Sequence, residues 1–192
     1  MIKIENLATS DTEMMVCADI TAPLYWWKNF DFAYLPGMST TFLSEQELQE
    51  KEFNLDDFSH DHLINYESYY CNETYDPVID GAHNIRCGGI QLLKLTINTL
   101  NYYRDKYLET NDKKYWWQMA QIIPSSYNYT RTVTITYDAL ANVYKSRRMH
   151  YLDEWRDFCD WIETLPHSEF ILIAAGLDEN SINARLGLSR NK

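Results

Sequence analysis

Asn142, Arg147, Arg148 and His150 are the residues whose types and spacing could do chemistry in this 192-residue chain. Arginine presents a planar fork of donors suited to phosphate and ring oxygens, and asparagine offers both a donor and an acceptor. Asn142 and Arg147 lie in a segment without Gly or Pro, Asp138–Arg148, where Leu140, Val143 and Tyr144 fall at helical spacing. Five residues on a helix turn the chain through roughly 140° and advance it about 7.5 Å. The two side chains therefore cannot easily grip one small group together. They serve two neighbouring ligands, or one faces a ligand while the other is structural. The plainer alternative has Arg147 and Arg148 complementing a helix C-terminus, with Asn142 at a tolerated surface position.

The elements that must position these residues follow from pattern. Thr130–Thr136 alternates and is rich in β-branched residues, which predicts a strand directly before the helix. Asp153–Thr164 predicts a second helix, with Trp155, Phe158, Cys159 and Ile162 as its apolar stripe. Earlier in the chain, Met1–Leu7 and Met14–Ile20 read as strands, and Pro23 opens a short aromatic helix. Ser44–Phe53 reads as a charged surface helix with a capping-box pattern, and Tyr66–Gly89 as the longest irregular connection. Ile90, Leu93, Ile97, Leu100, Tyr103 and Tyr107 mark the longest helix, Ile90–Leu108. Lys113–Gln121 and Ser168–Leu177 are further helices, and a short one starts near Ser181. The expected fold class is α/β (α+β): one domain over 1–175, a small antiparallel sheet flanked by long helices, and a C-terminal tail over 176–192.

The order Pro124, Tyr129-Thr130-Arg131, a strand, Ala139-Leu140-x-Asn142 and Arg147 five residues later resembles the C-terminal motif of flavin-dependent thymidylate synthases. His150 and Glu154 are similar to that family's following His and Glu, each one residue early. The likeness runs for about forty residues of the chain. Upstream, Lys28-Asn29-Phe30 looks like a softened Arg-Gln-Trp, and the family's Arg-His-Arg triplet falls at Phe32-Ala33-Tyr34. None of its three residues is present. Phe, Ala and Tyr can stack on a flat ring but supply no cation for phosphate. The Ser-rich stretch that follows the triplet is reduced to Ser39-Thr40-Thr41, and the Arg that precedes the family's Leu-Pro is replaced by Ala120 and Gln121.

The resemblance implies a thymidylate synthase-complementing-protein-like fold, a homotetramer with sites between subunits, and FAD as cofactor. It implies reductive methylation of dUMP, with a methylene-folate carbon donor and reduced flavin as hydride source. Arg147 would hold the pyrimidine and favour its polarised form. Asn142 would contact the flavin ring, with Tyr34 and Ser39 on the cofactor side. Arg131 and Arg148 are further substrate-binding candidates, on charge grounds alone. The runner-up is a non-catalytic protein on the same scaffold that binds or sequesters a nucleotide, a device suited to a phage, with Tyr34, Trp26 or Trp27 stacking on the ligand. A third class is an interaction protein whose aromatics serve oligomer contacts.

Composition sets bounds on these readings. The formal net charge of -11 argues against nonspecific binding to nucleic acid or to an anionic membrane. The cations nevertheless cluster at Lys113, Lys114, Arg131, Lys145, Arg147 and Arg148, whereas the acidic run at Ser44–Asp61 has Lys51 as its single base. The 15 Tyr and 6 Trp are more than a core of this size usually needs, which fits subunit contacts or flat-ligand pockets, with core packing as the plainer use for most of them. No apolar run approaches the roughly 18 residues of a membrane span, and no signal peptide is evident, so the expected location is cytoplasmic. Cys17, Cys71, Cys87 and Cys159 lack CxxC spacing and read as free thiols; His60-Asp61-His62 lacks further ligands, and no metal is expected.

Overall fold

The computed structural model describes residues 2–10, 14–34, 51–64, 69–70 and 86–187. Its elements, in order, are β1 (Lys3–Ser10), β2 (Met15–Pro23), α1 (Leu24–Tyr34), β3 (Tyr69–Tyr70), β4 (Arg86–Cys87), α2 (Gly89–Thr110), α3 (Lys113–Ile122), β5 (Asn128–Thr136), α4 (Tyr137–Arg147), α5 (Asp153–Glu163), α6 (Ser168–Ala174) and α7 (Glu179–Leu186). A one-turn 3-10 helix, Leu55–Asp57, precedes β3. The protein is α+β. It forms two compact units, Met1–Ser39 with Asn128–Lys192, and Thr40–Tyr127.

In the first unit, β2 alternates strictly: Val16, Ala18, Ile20 and Ala22 are buried, and the residues between them are half-buried. It is the middle strand of a three-stranded antiparallel sheet ordered β1-β2-β5. In β5 the threonines at 130, 132, 134 and 136 are exposed, while Arg131, Val133 and Ile135 lie on the buried face opposite Ile20, Ala18 and Val16. A period of two thus gives the sheet one polar and one core face. The expected strand at Met1–Leu7 begins later and runs on to Ser10, across an irregularity between Glu5 and Ala8.

Helices cover the core face. Trp26, Trp27 and Phe30 are the buried residues of α1, and Trp155, Phe158, Cys159 and Ile162 those of the α5 stripe, as its i, i+3, i+4, i+7 spacing requires. Their rings interlock around Trp26, whose centroid lies 5.0 Å from Trp27, 4.9 Å from Phe30, 4.8 Å from Trp155 and 5.5 Å from Phe158. Thr136 caps α4 by accepting from the Ala139 amide at 3.3 Å, and Asp178 caps α7 by accepting from the Ser181 amide at 2.9 Å. Residues 179–186 of the expected tail are therefore helical, and Ile182 is buried.

The second unit holds an α2–α3 hairpin. Asn111 takes the left-handed conformation that ends α2, and Asp112 caps α3. The buried face of α2 is Leu93, Ile97, Leu100, Arg104 and Tyr107. Arg104 thus lies in a stripe where the sequence suggested Tyr103, because its long stem can be buried while its head pairs with Asp105 at 3.0 Å. Asn101 accepts from the Phe53 amide and donates to the Phe53 carbonyl, both at 2.8 Å, standing in for a strand partner. The expected helix at Ser44–Phe53 lies outside the described residues up to position 50, and 51–53 are not helical. Among the described residues no helix is long and apolar enough to cross a membrane.

Trp26 makes contacts that no smaller residue could replace. Trp26→Ala is expected to lower unfolding free energy by about 3–5 kcal/mol. A guanidinium titration showing a reduced midpoint with an unchanged slope checks this.

Candidate functional site

Helix α4 delivers Asn142 and Arg147 in the orientations that a five-residue spacing imposes. Asn142 is exposed, whereas Arg147 is half-buried with its guanidinium carbon 4.9 Å from the Trp155 ring centroid. A cation over an indole face is held by the ring quadrupole. The Arg147 Nε is buried and has no hydrogen-bond acceptor among the described residues. Such a donor is costly unless something supplies an acceptor.

The chain leaves α4 through a tight turn in which the His150 amide donates to the Arg147 carbonyl at 2.9 Å. His150 Nδ1 accepts from the Leu152 amide at 3.2 Å, which places the proton of the neutral ring on Nε2. The imidazole stacks on Tyr151 at 4.4 Å and meets the Trp155 ring edgewise at 6.2 Å. Burial, and then the Arg147 charge, hold its pKa below the ordinary 6.5.

Arg131 comes to the same aromatic cluster from the sheet. It is 9% exposed, and its guanidinium carbon lies 4.6 Å from the Trp27 ring centroid. The Trp27 indole N–H donates to the Tyr129 carbonyl at 2.8 Å, fixing that ring against β5. Trp27 and Trp155 both touch Trp26, so the two arginines stand on opposite members of one cluster. Glu154, 4% exposed, accepts from the Tyr25 hydroxyl.

Arg148 has a different environment. It pairs with Asp160 at 2.6 Å and with Glu163 at 3.5 Å. Glu163 also accepts from the Tyr144 hydroxyl at 2.5 Å and pairs with Arg185 at 3.3 Å. Burial, reinforced by Glu163, raises the Tyr144 pKa well above its usual value. Two carboxylates thus already balance the Arg148 charge.

The structure corrects the stacking role suggested for Trp26 and Trp27. They are 0% and 2% exposed, because the aromatic density of α1 serves the core, and neither presents a face to a ligand. In the turn after α4 the exposed ring is Tyr151, at 80%. Sequence reasoning did not single it out, since a tyrosine between two helices carries no periodic signal. Tyr25 was equally silent as the partner of Glu154.

On the cofactor side, Phe32-Ala33-Tyr34 closes α1, and Ser39 lies outside the described residues. The last turn of α1 has no basic residue. A helix C-terminus is the negative end of the dipole. The last turn of α1 itself supplies no cation for a diphosphate. Among the described residues no group of three or more His, Cys, Asp or Glu could hold a metal. His60 Nδ1 donates to the Phe58 carbonyl at 2.7 Å, a local structural bond.

Two cavities of the first unit lie elsewhere. One, of about 310 Å³, is lined by Met14, Thr136, Tyr137, Asp138, Phe170 and Ala174. The other, of about 360 Å³, is lined by Ile2, Ile4, Asp157, Asp160 and Trp161. Arg131, Asn142 and Arg147 line neither.

No family model and no curated protein matches the chain. Among solved structures it is similar to Thymidylate Synthase X (ThyX) from Helicobacter pylori with FAD and dUMP, with a TM-score of 0.49 and 14% identity, covering 85% of this chain and 74% of that one.

The depressed His150 pKa has a definite sign. The unfolded chain binds the proton first, so this contribution to stability is full above about pH 6.5 and is lost as pH falls toward the lower folded value. In an NMR titration the His150 ring is expected to titrate below 6.5, and Arg147→Ala to move its midpoint upward. The thiol of Cys159, pushed up to about 12 by burial, is expected to resist a thiol reagent until the chain unfolds.

Proposed function

We propose that the chain is a divergent flavin-dependent thymidylate synthase-like protein that binds a pyrimidine nucleotide, dUMP by the resemblance, at Arg147. The observation that carries this reading is the half-buried Arg147 guanidinium held over Trp155, with no carboxylate paired to it among the described residues. Its position five residues after Asn142, on the helix that follows the β5 strand, is where the motif puts the family's nucleotide-binding arginine. A guanidinium fixed by a ring offers its fork with little loss of rotamer entropy. In a partly dry site its hydrogen bonds to ring or phosphate oxygens are worth more than in water.

Arg131 is the second cation of the site and the candidate for phosphate. Arg148 contributes through its ion pairs, which fix the end of α4, and it reaches phosphate only by exchanging a carboxylate. Asn142, some 140° around the helix from Arg147, serves a second group beside the nucleotide. In an active homologue that group is the flavin ring, and the product is methylated dUMP. The homotetramer and the cytoplasmic location that the resemblance implies belong to this reading.

The non-catalytic alternative starts from the flavin triplet that the sequence lacks. The triplet that would bind flavin is Phe32-Ala33-Tyr34 at a helix C-terminus without a basic residue. A protein that keeps the nucleotide arginine and lacks a flavin cradle sequesters or senses its ligand.

Calorimetry with dUMP, in the absence and presence of FAD, tests both readings. Arg147→Ala is expected to weaken dUMP binding by about 1.5–3 kcal/mol, roughly 10- to 150-fold, with an unchanged circular dichroism spectrum. Equal affinity in variant and parent rejects the site. A flavin absorption band perturbed by dUMP supports the enzyme; nucleotide binding without any flavin band supports the binding protein.

A further inference from the structure

The two edges of the three-stranded sheet differ. β1 is irregular between Glu5 and Ala8 and carries an exposed Lys3–Glu5 ion pair at 3.0 Å. Broken regularity and exposed charge are devices by which an edge strand avoids pairing with another chain. β5 has neither. Its nine residues, Asn128–Thr136, pair with β2 without a shift and include no proline, no glycine and no acid. Arg131 is its single charge, and it lies on the core face, 9% exposed.

The Tyr137 amide donates to the Met14 carbonyl at 2.9 Å, one step beyond the Met15–Thr136 pair. Backbone groups of an antiparallel ladder point alternately toward the partner strand and away from it. The odd-numbered residues of β5 therefore bond to β2, and Thr130, Thr132 and Thr134 turn their N–H and C=O groups outward. Among the described residues none of these outward groups has a partner, and β5 is the last strand of its sheet. The threonine side chains are exposed and already oriented, Thr130 by Thr21 at 2.7 Å and Thr132 by Asp19.

We propose that this edge is an interface between two copies of the chain: β5 pairs antiparallel with β5 of a second copy across a two-fold axis at Thr132, joining two sheets into one. Complete overlap of the nine residues sets Thr132 opposite itself, Thr130 opposite Thr134 and Arg131 opposite Val133. Threonine thus faces threonine, a favourable cross-strand match, and the two copies of Arg131 stay apart. A slip that centres the axis on Arg131 sets like charges together and shortens the overlap. Charge selects this edge as well. With a net charge of -11 two copies repel over most of their surface, and β5 is a stretch without an acid to oppose the approach. A foreign strand can use the same outward groups but gains nothing from the two-fold match, which is a property of self-association. The inference goes beyond the nucleotide reading and needs no ligand.

Sedimentation velocity of the full chain is expected to show a dimer or an assembly of dimers. Thr132→Pro removes the outward N–H at the centre of the edge and leaves the β2 side of the ladder intact. It is expected to halve the mass with an unchanged circular dichroism spectrum. Thr132→Cys keeps the strand and places two thiols across the axis, within the roughly 4.4–6.8 Å Cα separation that a disulfide spans. Under mild oxidation it is expected to form a covalent dimer that neither the parent nor Glu5→Cys, on the β1 edge, forms. A monomeric parent overturns the inference. So does parent-like mass in a folded Thr132→Pro chain, and so does cross-linking by Glu5→Cys without cross-linking by Thr132→Cys. If Thr132→Pro does not fold, the cross-linking alone decides. Calorimetry with Arg147→Ala bears on the nucleotide reading only, so either inference can fail without the other.

Discussion

Trp26 lies at the centre of the first unit, fully buried, with Trp27, Phe30, Trp155 and Phe158 packed around it. The cluster joins α1 to α5 over the core face of the sheet, and such rings bring both area and directional edge-to-face contacts. It also has an electrostatic effect. Arg131 and Arg147 sit over Trp27 and Trp155, so the negative faces of two indoles partly replace the water that the guanidinium groups have lost. The placement of the candidate site thus depends on core packing: displacing Trp26 would shift the platforms of both cations.

The chain carries a net charge of -11, yet it gathers positive charge at one end of α4. Neighbouring arginines there meet different fates. Arg148 lies against Asp160 and Glu163 and is neutralised by them. Arg147, one residue earlier, points about 100° away around the helix and meets a ring instead of a carboxylate. A ring orients a cation without satisfying its donors. One residue of helical phase separates an arginine that closes an ion-pair network from one that packs on an aromatic ring.

The same logic bears on the cofactor. The end of α1 presents carbonyl ends and no basic side chain, an environment that opposes phosphate. The end of α4, also a helix C-terminus, is made hospitable to oxygen-rich ligands by Arg147 and by the polarised, neutral His150 beyond it. The last turns of these two helices thus differ in the charge they carry.

Much of this architecture was legible in the sequence. Alternation in Thr130–Thr136, the Trp155/Phe158/Cys159/Ile162 stripe and the long α2 helix are local patterns, since side-chain direction is set by backbone periods of two and 3.6. The angular separation of Asn142 from Arg147 was equally determined, because helix geometry alone fixes it. What those side chains meet was not. The burial of Trp26 and Trp27, the carboxylates facing Arg148, the ring beneath Arg147 and the stack of Tyr151 on His150 join residues that are distant in sequence or lie in an aperiodic turn. Periodicity says which way a residue points on its own element. Only the packing of α1, α5 and the sheet decides which partner stands there, and with it whether a charge is balanced, sealed in the core or left to bind.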